Sequence, residues 1–234
     1  MECYRRLFPN GFWFEFKALG LLALPIMLTC LVEYLLAPIS LVFCGKLGKS
    51  ELASAGLAVS IFHTAGVSLV TGLLTAGETL FAQTYGGSNK FRLGIQLQRA
   101  FCIIFLWCLP CVAIYVCIEP LLLATNQPPH IAKSVSEYLL GLIPGLFSLA
   151  AYEILSKYVQ SQNKVLPPLL AGILGNVVNA AAHYVLLFHF NIGLIGSALS
   201  QSLGFMTEAV SLLAYIIFSK MYRKTWNGIR IELW

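Results

Sequence analysis

The chain has 234 residues, 58% of them hydrophobic and 11% charged, where a soluble globular domain carries roughly 25% charged residues. So little polar surface excludes a soluble domain, and at about 20 residues per span the length accommodates roughly six membrane-crossing helices with nothing left over. The formal net charge of +5 matches anionic lipid on an inner leaflet and is not read as nucleic-acid binding.

Met1 to Lys17 has no short apolar run with a small-residue cleavage site, so the first span is expected to stay in the mature protein. The apolar segments that follow predict an all-α polytopic bundle, a single membrane unit over residues 1–234, with spans at 18–44, 52–85, 94–118, 135–158, 165–190 and 194–218 and a cytoplasmic tail at 219–234. Gly, Pro and Asn mark the breaks between them.

Span one carries Pro25, Thr29, Glu33 and Ser40 at helical spacing. Span two is longer than a bilayer needs, so it must tilt or project, and it carries Ser60, Thr64, Ser68, Thr71, Thr75 and Glu78. Span three holds Cys102, Cys108, Cys111 and Cys117; without a second pair or a His the Cys108-x-x-Cys111 reads as small apolar filler, and no metal site or cofactor is expected. In span four Glu153 precedes Lys157 by four residues, the favourable order for a structural same-face ion pair. Span five offers Asn176, Asn179 and His183, and span six Ser197, Gln201, Gly204, Glu208 and Ser211. Four helices are therefore expected to turn a polar stripe inward. The Ser, Thr and Gly positions read first as close helix contacts with hydrogen bonds across the interface. Pro25, Pro38, Pro110 and Pro144 favour kinks.

Of the 15 Lys and Arg residues, only Lys46, Lys49 and Lys133 fall on one side, which predicts cytoplasmic termini by the positive-inside rule. Carboxylates inside spans are costly and usually line a hydrated path or meet a partner. Glu33 lies about 22 Å into its span, and Glu208 about 21 Å from the outer end of its own. Glu78, about 39 Å from the outer end, falls at or beyond the cytoplasmic boundary, where pairing with a nearby Lys or Arg weighs equally with a functional role. His63, roughly 17 Å deep, is a proton-shuttle candidate whose commoner role is a helix-to-helix hydrogen bond. Glu33, Glu78, His63, Asn176, Asn179, Gln201 and Glu208 are the candidate pathway residues.

The run Gly72-Leu-Leu-Thr-Ala-Gly-Glu-Thr-Leu-Phe-Ala-Gln-Thr-Tyr-Gly86 resembles the signature of the multidrug and toxin extrusion (MATE) family in its eukaryotic branch. Phe43-Cys-Gly-Lys-Leu-Gly48, Gln162-Asn-Lys-Val-Leu-Pro-Pro168 and Gly193-Leu-Ile-Gly-Ser-Ala198 match the same family in the same order. The resemblance implies export of organic cations and other xenobiotics in exchange for protons or sodium, between two six-helix lobes related by a pseudo-two-fold along the membrane normal. Two features depart from the family. Many prokaryotic members have an Asp where Ser40 stands here, which leaves Glu33 as the helix-one coupling group. The family has about twelve helices and this chain has six, so it reads as one half-length or truncated lobe. Without a second lobe, the cavity wall around Asn176, Asn179 and Glu208 would open onto lipid, so it is expected to be covered by a homodimer of the chain, a full-length relative or a collapsed packing of the lobe on itself.

The other reading is a non-transporting half that associates with lipid or with full-length subunits at the plasma membrane. An intramembrane protease is disfavoured because Gly66-Val-Ser68 and Gly196-Ser197 do not continue into Gly-x-Ser-x-Gly, and a water channel because Asn-Pro-Ala is absent.

Overall fold

The structure, a computed structural model, describes residues 12–225. Arg5, Arg6 and Arg230, three of the cations assigned to the inner side, lie outside the described residues, as does the expected tail beyond Thr225.

Six helices are long and apolar enough to cross a bilayer: α1 Phe12–Leu47, α2 Lys49–Gly86, α3 Arg92–Val116, α5 Pro129–Gln160, α6 Leu166–His189 and α7 Leu194–Phe218. A short helix, α4 Ile118–Ala124, lies between α3 and α5. Asn126, Asn163 and Asn191 take positive φ at three of the breaks, a conformation Asn tolerates better than most residues. Pro129 and Pro167 sit in the first turns of α5 and α6, where a missing N–H costs nothing.

Helix α5 is the spine. It packs against α7, α3 and α2, and buries Tyr138, Leu142, Leu146, Tyr152 and Tyr158. Gly141 and Gly145, one turn apart, let α7 approach: a Cβ at either would come within 2.8 Å of Ala198 or Ser202. The closeness is used, since Ser202 Oγ donates to the Gly141 carbonyl at 2.9 Å. Helix α1 lies over α6, α2 and α7, while its opposite face leaves Leu24, Met27, Leu31 and Tyr34 exposed. After α7 the chain turns back, and Thr225 is buried against Tyr158 with its carbonyl taking the Gly94 N–H at 3.1 Å.

Helix α2 departs from expectation twice. It contains one π-helical turn, His63–Val67, and the hydroxyl of Tyr115 caps the Phe62 carbonyl beside it at 3.0 Å. Its polar stripe also does not face inward: Ala55, Ala58, Val59, Phe62, Val70 and Leu74 take the packed face, and Ser60, Thr64 and Ser68 are exposed. The hydroxyls of Ser60, Ser68, Thr71 and Thr75 bond to carbonyls three to five residues back in their own helix, so none needs a neighbour across an interface.

Candidate functional site

The lower part of the α2 stripe does meet something. Thr71, Thr75 and Glu78 line a cleft of about 220 Å³ with Cys30, Glu33 and Tyr34 of α1, His63 of α2, Glu153 and Lys157 of α5, and Phe205 of α7. Three carboxylates share this cleft with one lysine, so its field favours a cation. Its volume falls below the roughly 300–1,000 Å³ of small-molecule pockets.

The ion pairing differs from the sequence expectation. Lys157 Nζ reaches across to Glu78 Oε2 at 3.4 Å and does not pair along its own helix with Glu153. The i, i+4 geometry is available, but Glu78 stands opposite Lys157 in the cleft and takes it, leaving Glu153 among the lining carboxylates. Glu78 is 53% exposed, so this pair is a weak stabiliser, on the order of 1 kcal/mol or less.

Glu33 has a partner that the sequence left unmarked: Tyr152 OH lies 2.8 Å from Glu33 Oε1, and the same hydroxyl lies 3.1 Å from the Pro168 carbonyl. Two asparagines, half-buried Asn176 and buried Asn179, hold α1 in place. Asn176 Nδ2 donates to the Val32 carbonyl at 2.8 Å and the Gly172 carbonyl at 2.9 Å, and Asn179 Nδ2 donates to the Leu36 carbonyl at 3.3 Å. These helical carbonyls accept on their second lone pairs.

The seven candidates thus divide. Glu33, Glu78 and His63 line the cleft, whereas Asn176, Asn179, Gln201 and Glu208 do not. Asn179 and Gln201 are 0% exposed and Glu208 is 1% exposed, so of the expected covers it is the packing of the lobe on itself that closes this wall. The reason is packing within the lobe: α1 covers the asparagines, and Glu208 sits in a notch made by Gly172 and Gly175 of α6. Gln201 accepts the Tyr138 hydroxyl proton at 3.0 Å in the α5–α7 seam.

A second buried polar group joins α1, α5, α6 and α7 further along the bundle. Ser197 Oγ lies 2.9 Å from His183 Nε2 and 3.4 Å from Tyr138 OH, and accepts the Cys44 thiol at 3.1 Å. His183 Nδ1 faces the Asn179 carbonyl at 2.9 Å, so in the neutral ring Nδ1 donates and Nε2 accepts from Ser197. Phe43 stacks on that ring at 5.2 Å. In α3, Cys108 and Cys111 are buried free thiols, while Cys102 and, just past the helix end, Cys117 are exposed.

The model of the MatE family matches residues 25–185, which contain every residue lining the cleft except Phe205 and most of both polar groups. The chain belongs to the MatE family. It is 39% identical over 224 residues to multidrug and toxin extrusion protein 2 of Oryctolagus cuniculus, covering 96% of this chain and 37% of that protein. Multidrug and toxin extrusion protein 1 of Mus musculus is 39% identical, with 96% of this chain and 40% of the relative covered. Among solved structures, the eukaryotic MATE transporter AtDTX14 superposes with a TM-score of 0.91 at 28% identity, over 96% of this chain and 50% of that one. A MATE in the bent conformation has the same fold at a TM-score of 0.81 and 18% identity. This MatE chain spans less than half the length of the curated relatives it matches, and it is an integral, multi-pass membrane protein.

Proposed function

We propose that this chain is one lobe, residues 1–234, of an exporter of organic cations and other xenobiotics, driven by exchange for protons or sodium across the plasma membrane. Both termini lie in the cytoplasm. The observation that carries the proposal is the cleft: Glu33, Glu78 and Glu153 against one Lys157, inside a membrane-embedded bundle of a family whose relatives are named for multidrug and toxin extrusion. Glu33, the deepest of the three along its helix, is the coupling group. A cation or proton bound there and an organic cation in the cleft compete, so each favours a different orientation of the lobe.

The test is equilibrium binding of a fluorescent organic cation to the purified chain. Wild type is expected to bind it and to reject a neutral analogue of the same size, and Glu33→Gln with Glu78→Gln is expected to weaken binding roughly tenfold, about 1.4 kcal/mol. Equal binding of the neutral analogue would remove the charge-based reading. The same measurement separates a second reading, a non-transporting half that associates with lipid or full-length subunits. Co-purification with a full-length relative, without organic cation binding, would favour it.

A further inference from the structure

Tyr152 has one hydroxyl proton and two acceptors in reach, Glu33 Oε1 and the Pro168 carbonyl. A single O–H shared between them makes two weakened three-centre contacts, and both become full hydrogen bonds at once only when Glu33 itself carries a proton. Glu33 then donates to the Tyr152 oxygen, and Tyr152 donates to Pro168, tying α1, α5 and α6 together. With Glu33 ionised, Tyr152 turns its proton to the carboxylate and the Pro168 carbonyl at the start of α6 loses that partner. Only hydrogen bonds change, and the proton stays on Glu33 or leaves through the cleft.

Glu208 adds to the same donor shortage. Its Oε1 is buried without a hydrogen-bond partner, and a Cβ on Gly172 would stand 3.9 Å from that atom and 3.8 Å from Tyr152 OH, so both groups flank one notch. Asn176 spends its amide hydrogens on Val32 and Gly172, and its Oδ1 is also buried and unpartnered. The unpaired atoms around the notch are acceptor oxygens, so the missing species is a donor. Among the described residues no three His, Cys, Asp or Glu side chains converge as on a metal ion, and the Glu208 side chain itself fills the notch at Gly175.

We infer that Glu33, Tyr152 and Glu208 form one proton-binding unit, half-buried at Glu33 and buried at Tyr152 and Glu208, with Tyr152 as the positioning hydroxyl that relays protonation of Glu33 to the Pro168 carbonyl and Glu208 as a second proton-accepting carboxyl. This rests on the reading of Glu33 as the coupling group. The charged and titratable groups facing the unit are Cys30 of α1, His63 and Glu78 of α2, and Glu153 and Lys157 of α5; α6 faces it with the neutral amides Asn176 and Asn179, with His183 further out.

Infrared difference spectra of the purified chain in lipid nanodiscs, between acidic and alkaline pH, test this. Two protonated-carboxyl C=O bands are expected, a lower-frequency one from hydrogen-bonded Glu33 and a higher one from Glu208. Glu33→Gln should remove the first and Glu208→Gln the second, while Tyr152→Phe should move the Glu33 band upward without abolishing it. A Glu33 band unmoved by Tyr152→Phe, or a spectrum unchanged by Glu208→Gln, would overturn the unit, as would band shifts on replacing choline by sodium at fixed pH. Should Glu208→Gln fail to fold, Glu208→Asp is expected to keep a second band at shifted frequency, and its absence would count against the proposal. Transport is read separately: bands as expected with Glu33→Gln transport intact would refute the coupling role and leave the proton unit standing.

Discussion

Glu33 and Glu208 are both deep carboxylates, yet they sit in different surroundings. Glu33 faces the cleft with Tyr152 behind it, whereas Glu208 is enclosed by α6. Gly175 is the residue that makes the enclosure work, since a Cβ there would collide with Glu208 Cγ and stand 2.9 Å from its carboxyl carbon and Oε1. Gly175→Ala is therefore expected to destabilise the lobe by about 1–3 kcal/mol through overpacking, and Glu208→Ala in the same chain to relieve most of that loss. Thermal unfolding in detergent checks both, and additive losses in the double variant would refute the contact. For Lys157 the expectation concerns its partner: a double-mutant cycle of Glu78→Gln with Lys157→Met should give a coupling of roughly 0.2–1 kcal/mol, and one with Glu153→Gln a smaller value. The reverse order would restore the pairing along α5.

At the scale of elements, the hydropathy pattern placed every span, and α7 runs from Leu194 to Phe218 as the sequence predicts. Helix ends elsewhere moved by a few residues, because polar ends such as Lys49 and Gln160 continue a helix beyond its apolar stretch. The short α4 is not legible in the sequence, because Ile118–Ala124 has only 7 residues, too few to register as a span between 94–118 and 135–158. Spacing identified the stripe on α2 but not the side it faces: hydroxyls satisfied by their own helix are indifferent to direction, and the apolar face of Ala58, Val70 and Leu74 decides. The Tyr152 contact carries no local sequence signal, because its partner Glu33 is 119 positions away and a tyrosine in an apolar run looks like core. Cysteines introduced at Ser60, Ser68 and Thr75 should react with a small thiol reagent far faster than cysteines at Ala58, Val70 and Leu74; similar rates would contradict the orientation of α2. Removing the Asn179 clamp by Asn179→Leu is expected to cost about 0.6–2 kcal/mol by loosening α1 from α6, read from unfolding in detergent.

For the whole molecule, the cleft between α1 and α2 holds the lining carboxylates but only part of the volume a drug-sized cation needs, and the outer face of α1 is apolar and exposed. A second lobe, whether from a full-length relative or another copy of this chain, would close that volume, and alone the chain is expected to give little or no gradient-driven flux. Topology is independent of that: cysteines at Lys49 and Lys90 should label from opposite sides of the membrane, and labelling of both from outside would reverse the orientation proposed here. The most direct measurement is uptake of a fluorescent organic cation into proteoliposomes under an imposed pH or sodium gradient, with a second lobe supplied and Glu33 either intact or replaced by Gln. The expected result is gradient-dependent uptake by the complete assembly that falls at least tenfold in Glu33→Gln at equal expression and insertion, about 1.4 kcal/mol; uptake that survives Glu33→Gln unchanged would contradict the coupling role of the cleft carboxylate.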